Sequence, residues 1–225
     1  SEMCIRDRLC IMETGAIITG DIIASTQMEP EDREIMLTAL RSLPELLLPI
    51  EKVRIEIFRG DSFQVGICRA KNSLKIALAL RAYLRTHRML SKKGVMDARI
   101  AIGIGKIEYE ADTLSTSDGE AFRLSGRLLD RMGKSRLAIM TPWENVNDEL
   151  SLNTAFADDI ISSWTQSQSR IELASYVITE NRNEIATHLE ISRQMVDKSM
   201  KASKKNLIDA YIDRFEELIS SQTSY

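Results

Sequence analysis

The sequence has few residues of the kinds that build disulfides, zinc sites or membrane spans. It contains three cysteines and two histidines in 225 residues. Cys4, Cys10 and Cys68 lack metal-ligand spacing and would leave an odd thiol if two of them paired, which predicts a reduced, cytoplasmic setting. With only His87 and His188, a histidine metal site is not expected. No run of about 18 apolar residues occurs, so no transmembrane helix and no membrane partner are expected.

Neither sign of charge dominates the chain. Thirty Lys and Arg residues stand against 33 Asp and Glu residues, for a net charge of −3. This balance argues against a general binder of polyanions, so any contact with nucleic acid requires a local basic patch. The hydrophobic share of 44% is that of a globular protein with a packed core.

Three parts of the chain differ in their pattern. Residues 1–11 are charged and lack the apolar centre of a signal peptide, so we expect a non-native or disordered leader before a strand. Residues 12–164 follow the order strand, helix, hairpin, helix, strands, which predicts an α+β fold with a ferredoxin-like βαββαβ sheet and helices on one face. Residues 165–225 are helical throughout and predict a small all-α helix-turn-helix domain.

Glycine and polar residues predict how several of these elements begin and end. Residues 53–67 predict a hairpin with Asp61 at its tip. Gly105 predicts a turn between a strand over 99–104 and a partner strand over 106–109. Ser117 and Asp118 predict the N-terminal cap of the next helix.

Two aspartates stand out because each interrupts a strand pattern beside a glycine. Asp21 follows Gly20 in an apolar strand, and Asp61 follows Gly60 at the hairpin tip. A carboxylate beside a core strand is costly unless something neutralises it, and glycine lets a backbone or ligand approach closely. The pair therefore predicts a site for Mg²⁺ or Mn²⁺ completed by phosphate oxygens. The alternative is that both Gly-Asp pairs are ordinary turn residues.

Three motifs resemble those of class III nucleotide cyclases, in the same order along the chain. They are residues 19–26 (TGDIIAST), 59–61 (RGD) and 119–128 (GEAFRLSGRL). The resemblance implies that Asp21 and Asp61 are metal ligands, together with the Ile22 carbonyl. It also implies that Arg127 stabilises charge on the transferring phosphate, and that a homodimer supplies this arginine from the second chain.

The same core is similar to the SatD family of small bacterial proteins. The stretches that carry this similarity are residues 18–22 (ITGDI), 59–64 (RGDSFQ), 99–105 (RIAIGIG) and 117–122 (SDGEAF). The SatD resemblance implies a cyclase-like fold but assigns no activity.

The chain also departs from the cyclase pattern where adenylate cyclases read the base. Ile57 stands in place of the adenine-reading lysine, Thr116 in place of its aspartate partner, and Arg123 in place of the ribose-positioning asparagine. A nucleoside triphosphate or related nucleotide is still expected to bind, at Gly20, Gly60, Thr116 and Arg123, with the base left open. Arg123 and Arg127 lie four residues apart and form either a phosphate clamp or a solvated basic face with salt bridges to Glu120 and Asp130.

Residues 184–196 have the spacing of a helix-turn-helix. Ser192 is placed to cap the second helix, and Arg193, Gln194 and Lys198 are then placed to contact DNA. Residues 181–205 contain six Lys or Arg and three Asp or Glu, a modest basic patch. Glu190 occupies the position where glycine is common, and such modules also serve as protein-docking or dimerising units, so both roles stay open.

Two functions from different classes follow from the sequence. The first is a cyclase-like, divalent-metal-dependent nucleotide-binding protein, a nucleotidyl cyclase of non-standard base specificity if it turns over. The second is a non-catalytic regulator that senses a nucleotide or dimerises through the first domain and binds DNA through the helix-turn-helix. A scaffold with neither activity is the third option. The base, the signal and any DNA sequence are not encoded in a recognisable pattern.

Overall fold

The computed structural model describes residues 14–58, 60–90, 94–109, 113–114 and 117–223. The leader expected over residues 1–11 and the site residue Thr116 lie outside the described residues, as does Arg59 of the second motif.

Six strands of the described chain belong to one sheet: β1 (Thr14–Ile22), β2 (Arg54–Phe58), β3 (Ser62–Ile67), β4 (Ala98–Tyr109), β5 (Asp118–Gly119) and β6 (Leu137–Met140). The helices are α1 (Pro30–Leu47), α2 (Ser73–Arg85), α3 (Glu120–Arg131), α4 (Glu144–Ser162), α5 (Gln166–Val177), α6 (Arg182–His188), α7 (Arg193–Ala202) and α8 (Lys205–Thr223). Short 3₁₀ turns cover Ser25–Gln27 and Ala70–Asn72.

The strands are ordered β2-β3-β1-β4-β5, with β6 also pairing with β4. β1 lies antiparallel to both β3 and β4, and β6 runs parallel to β4. The order β1-α1-β2-β3-α2-β4 in this arrangement is the ferredoxin-like βαββαβ unit. The predicted α+β class and the strand order of its first part are therefore confirmed.

Helices cover both faces of the sheet, so the expectation of helices on one face is wrong. Ile18 and Ile102 belong to the main core, which includes residues of α1 and α2. Ile17 and Ile107 instead form a smaller cluster with Ala121 of α3. Because β1 is apolar on both of its sides, the second side is buried only if a helix covers it, and α3 does so.

β4 is one continuous strand, and the turn predicted at Gly105 is wrong. The glycines of β4 face α3, where a Cβ at Gly103 would lie 2.3 Å from the Ala121 carbonyl oxygen and 2.5 Å from the Ser125 nitrogen. A Cβ at Gly105 would lie 2.8 Å from the Glu120 side chain. Both glycines therefore allow the helix to approach the strand closely.

The cap predicted at Ser117 and Asp118 is also wrong. α3 has Gly119 as its N-cap residue and no side-chain capping hydrogen bond. Asp118 and Gly119 instead pair with Tyr109 and Ile107 of β4 as strand β5. Strand pairing thus takes Asp118, which the local pattern assigned to a cap.

A buried ionic cluster joins α2 to the segment before β4 and to α4. The Arg81 side chain is fully buried and donates hydrogen bonds to both oxygens of Asp97, at 3.0 and 2.8 Å. It also donates to Asp158 at 2.7 Å. Burial by itself raises the pKa of Asp97, but the charges and hydrogen bonds of Arg81 and Arg85 outweigh it and hold this pKa below its ordinary value.

The C-terminal helices pack against the first part of the chain as well as against one another. Tyr211, Phe215 and Ile219 of α8 belong to the main core. A third hydrophobic cluster joins α5, α6 and α7 through Ile171, Ala174, Ile185, Ala186, Val196 and Met200. The boundary near residue 165 stays a prediction.

Within the described residues, every helix falls short of the length and apolarity that a membrane span requires.

Candidate functional site

The backbones of Asp21 and Asp61 are brought together by the pairing of β1 with β3. Asp21 lies opposite Ser62 in the antiparallel register. The Ile22 amide donates a hydrogen bond to the Asp61 carbonyl oxygen at 3.0 Å. Forty residues apart in sequence, the two aspartates therefore occupy neighbouring backbone positions at one end of adjacent strands.

Arg99 holds the Asp21 carboxylate. The two residues are directly opposite each other in the register of β1 and β4. The Arg99 Nε donates to Asp21 Oδ1 at 2.9 Å, and its Nη2 donates to Asp21 Oδ2. This two-pronged geometry is the strongest that an arginine makes with a carboxylate. Hydrogen bonding to Asp21 raises the pKa of Arg99 above its ordinary value. No role for Arg99 was predicted from the sequence.

Asp61 has neutral partners. The hydroxyl of Ser25, which is mostly buried, donates to Asp61 Oδ2 at 2.6 Å. Ala24, just before Ser25, adopts a left-handed backbone with a φ of 60°. An alanine in this region is strained, so local contacts must hold the turn that presents Ser25 to the aspartate. Ser25 belongs to the first motif, but its contact with Asp61 was not predicted.

The glycines next to the two aspartates serve different structural needs. A Cβ at Gly20 would lie 2.5 Å from the ring of Phe63 and 2.8 Å from the Arg99 carbonyl oxygen. The space beside Gly20 is therefore filled by the protein's own core. Gly60 has a φ of +81°, the left-handed conformation that the turn before Asp61 requires.

A polar row continues from the aspartates toward α3. Thr19, two residues before Asp21 on the same side of β1, shares a 2.8 Å hydroxyl hydrogen bond with Ser125 of α3. The Gln64 amide nitrogen lies 3.4 Å from the Thr19 hydroxyl. The Gln64 Oε1 atom is buried and has no hydrogen-bond partner among the described residues. The alternation of β1 and β3 placed these residues on one face, but only the register brings them together.

The oxygen donors at this end of the sheet fit Mg²⁺ or Mn²⁺ in kind. Two carboxylates and a backbone carbonyl are hard ligands of the sort these cations prefer. Within the described residues, no group of three or more His, Cys, Asp or Glu side chains is arranged to hold a metal ion. Any cation here would therefore need further oxygens from a ligand or water, and it would meet Arg99 at Asp21.

The two arginines of α3 are in different states. Arg123 forms ion pairs with Glu108 at 3.3 Å and Asp118 at 3.1 Å, instead of the partners suggested by sequence spacing. Arg127 is exposed, and no ion pair or hydrogen bond of its side chain is found within the described part of the chain. Of the predicted phosphate clamp, one arginine is thus engaged and the other is available.

The residues predicted to contact DNA lie at the N-cap, in the first turn and in the middle of α7. Ser192 caps this helix by accepting a hydrogen bond from the Met195 amide at 3.2 Å. Gln194 and Lys198 are exposed. The Asp197 carboxylate forms ion pairs with the guanidinium groups of Arg193, at 3.7 Å, and Arg182, at 2.7 Å. These ion pairs neutralise part of the basic patch.

The turn before α7 closes α6 with a Schellman motif. The Ile191 amide donates to the Ala186 carbonyl at 3.0 Å, and the Glu190 amide donates to the Thr187 carbonyl at 3.3 Å. Glu190 takes the left-handed position of this motif, with a φ of 55°. The glutamate therefore adopts the backbone that glycine usually supplies at this turn.

Comparison with known proteins gives a distant structural similarity. No protein-family model matches the sequence, and no curated protein matches it. Among solved structures, a bacterial light-regulated adenylyl cyclase is similar over 57% of this chain and 43% of its own, with 17% sequence identity and a TM-score of 0.40. The chain thus spans less than half of that protein. A similarity of this extent carries no argument about substrate or reaction, and membership of the SatD family stays a prediction.

Proposed function

We propose that the chain is a cyclase-like protein that binds a nucleotide with Mg²⁺ or Mn²⁺ at Asp21 and Asp61. The observation that carries this proposal is the β1–β3 pairing, which sets Asp21 opposite Ser62 and joins the Ile22 amide to the Asp61 carbonyl. Both aspartates are thereby placed at the same end of two adjacent strands, where one cation could contact both carboxylates. The three motifs that resemble class III cyclases add support.

The proposed roles divide the site between the two strands. Asp21 and Asp61 contribute carboxylate oxygens, and the Ile22 carbonyl contributes a third. Ser25 orients the Asp61 carboxylate through its hydrogen bond. A bound divalent cation would lower the pKa of an attacking hydroxyl and neutralise charge on the leaving phosphate. Gly20, Gly60 and Thr116 stay proposed nucleotide contacts.

Arg127 is proposed to act on the phosphate of a nucleotide held by a second copy of the chain. Its side chain is exposed on α3, on the helix that covers the same face of the sheet as Thr19. Arg123 can bind the same phosphate only if the nucleotide displaces Glu108 and Asp118 from its guanidinium. The proposed active form is therefore a homodimer.

The test is incubation of the purified protein with each nucleoside triphosphate and Mn²⁺ or Mg²⁺, followed by mass spectrometry. The enzyme proposal predicts a cyclic nucleotide that is lost in Asp61→Ala and retained in Asp159→Ala, which removes an exposed aspartate of α4. Mixing Asp61→Ala with Arg127→Ala is expected to restore part of the activity, because each mixed dimer keeps one complete site. Nucleotide binding without a product supports the sensor. No binding of any triphosphate contradicts both.

The second candidate is a non-catalytic regulator that contacts DNA through α7. The supporting observation is the exposure of Gln194 in the first turn of α7 and of Lys198 further along the same helix, the helix that enters a groove in such modules. Asp197 weakens this case because it pairs with Arg182 and Arg193.

A gel-shift titration with random duplex DNA tests the regulator. Lys198→Ala is expected to weaken binding and to reduce the slope of log affinity against log salt by about 1. Lys71→Ala, which removes an exposed lysine outside this module, serves as the charge-matched control. No salt-dependent shift, or equal loss in both variants, argues against α7 as the contact surface.

A further inference from the structure

We propose that Arg99 competes with a divalent cation for both oxygens of Asp21, and so sets the affinity of the site for that cation. This inference rests on the proposed function, since it concerns the same two aspartates. It assigns Arg99 a regulatory role at the site, as a positioning residue that acts through Asp21.

The contact is built into the sheet. Arg99 and Asp21 are directly opposite in the β1–β4 register, so the backbone pairing brings their side chains together. The guanidinium donates to both carboxylate oxygens. Its Nη1 also donates to the Gly133 carbonyl at 3.3 Å, just after α3. Arg99 is therefore held from two sides in the position where it covers Asp21.

A divalent cation and the guanidinium compete for this carboxylate. A cation bound to either oxygen would lie within a few ångströms of a fixed positive charge, and their repulsion is large where water is partly excluded. The Arg99 and Asp21 side chains are 34% and 24% exposed. At this exposure solvent screens part of the attraction, so a more highly charged competitor can displace the guanidinium despite its two-pronged contact.

The two aspartates are asymmetric in this respect. Asp61 accepts hydrogen bonds from Ser25 and, more weakly, from Ser62. Among the residues that the structure describes, no lysine or arginine pairs with Asp61, whereas the charge of Asp21 is cancelled by Arg99. Cation binding therefore has a cost at Asp21 that is absent at Asp61, and Arg99 is the source of that cost.

The experiment measures the affinity of the full-length chain for Mn²⁺ alone, by electron paramagnetic resonance of the free ion. Arg99→Ala is expected to bind Mn²⁺ about tenfold more tightly than the wild type, because the competing charge is gone. Arg131→Ala removes an exposed arginine of α3 that has no contact with Asp21, and it controls for long-range charge. It is expected to change the affinity by less than about twofold. Arg99→Lys keeps the charge without the two-pronged contact and should lie between wild type and Arg99→Ala.

A second measurement needs no substitution. In ¹⁵N-labelled wild-type protein, the Arg99 Nε–H resonance is expected to shift on titration with Mg²⁺, because the hydrogen bond to Asp21 is broken. Equal Mn²⁺ affinity in wild type and Arg99→Ala, with an unmoved resonance, overturns the role of Arg99 and leaves the metal site standing. Absence of Mn²⁺ binding in every variant, Arg99→Ala included, overturns the proposed metal site together with this inference.

Discussion

Two arginine–aspartate pairs flank the start of β4, and they differ in burial. Arg81 and Asp97 have side chains that are 0% and 4% exposed, and further buried partners surround them. Arg99 and Asp21 lie across two strands with about a quarter to a third of each side chain in solvent. Burial decides what such a pair can do: the first fixes α2 and α4 to the sheet, while the second is open to exchange with a ligand.

A third carboxyl group shows what happens when burial comes without a close cation. Glu172 of α5 is fully buried, and its nearest ammonium is that of Lys205 at 3.9 Å, which Asp209 also holds at 2.7 Å. Burial raises the pKa of Glu172 to about 7, although a hydrogen bond from Ser203 opposes the shift. Asp97 and Glu172 are thus both buried, but their pKa values move in opposite directions because only Asp97 has guanidiniums in contact.

The largest effect is expected from breaking the buried pair. Arg81→Ala leaves Asp97 and Asp158 without their main partner in the interior, and we expect a loss of about 3–5 kcal/mol in the free energy of unfolding. Urea denaturation followed by circular dichroism measures it. Arg131→Ala, an exposed arginine, should stay within about 0.5 kcal/mol of wild type. A loss below about 1 kcal/mol in Arg81→Ala would contradict the proposed difference between the two pairs, since burial would then not distinguish their contributions to stability.

A pH-dependent effect of intermediate size is expected at Glu172. Because its pKa is about 7 in the folded chain and 4.5 ordinarily, the folded state favours the protonated form. Its contribution to stability is fully present below about pH 4.5 and is lost as the pH rises through about 7.

Glu172→Gln removes this titration while keeping an oxygen for Ser203. At pH 8 the variant is expected to be more stable than wild type by roughly 2–3 kcal/mol, with the difference shrinking toward pH 5. Urea midpoints from pH 5 to 8 provide the measurement. Parallel pH profiles for the two proteins would show that Glu172 does not titrate in this range.

The smallest stability change is expected at the half-exposed pair. Arg99→Ala should lower the free energy of unfolding by about 1 kcal/mol or less, because solvent screens the pair. The same urea titration measures it beside Arg81→Ala. A loss of 3 kcal/mol or more would make Arg99 a structural residue and would contradict its exchange with a cation.

Local pattern was enough to predict the order of the first elements. Alternating residues in 53–58 and the glycines before Asp21 and Asp61 gave the strands and the hairpin correctly. Gly103 and Gly105 were misread because a glycine within a strand pattern indicates either a turn or a close approach. Only the position of α3, which the local sequence does not encode, decides between them.

The contacts of the candidate site depend on register, and register is a property of the whole sheet. Asp21 meets Arg99 across 78 residues of sequence. The alternation of 99–104 did place Arg99 on the side opposite the isoleucines, which was the one available signal. Without knowing which strand lies beside β4, that signal names no partner. The ion pair between Arg123 and Glu108 was not predicted for the same reason, because Glu108 lies on β4 and meets Arg123 only where α3 packs against that strand.

Anomalous diffraction offers a direct test of cation binding at Asp21 and Asp61. Crystals of the protein are soaked with Mn²⁺ and a nucleoside triphosphate, and data are collected at a wavelength where manganese scatters anomalously. We expect one anomalous peak about 2.2 Å from a carboxylate oxygen of Asp21 and from one of Asp61, with the Arg99 guanidinium moved off Asp21. A peak that touches neither aspartate, or no peak while Arg99 stays on Asp21, would contradict it.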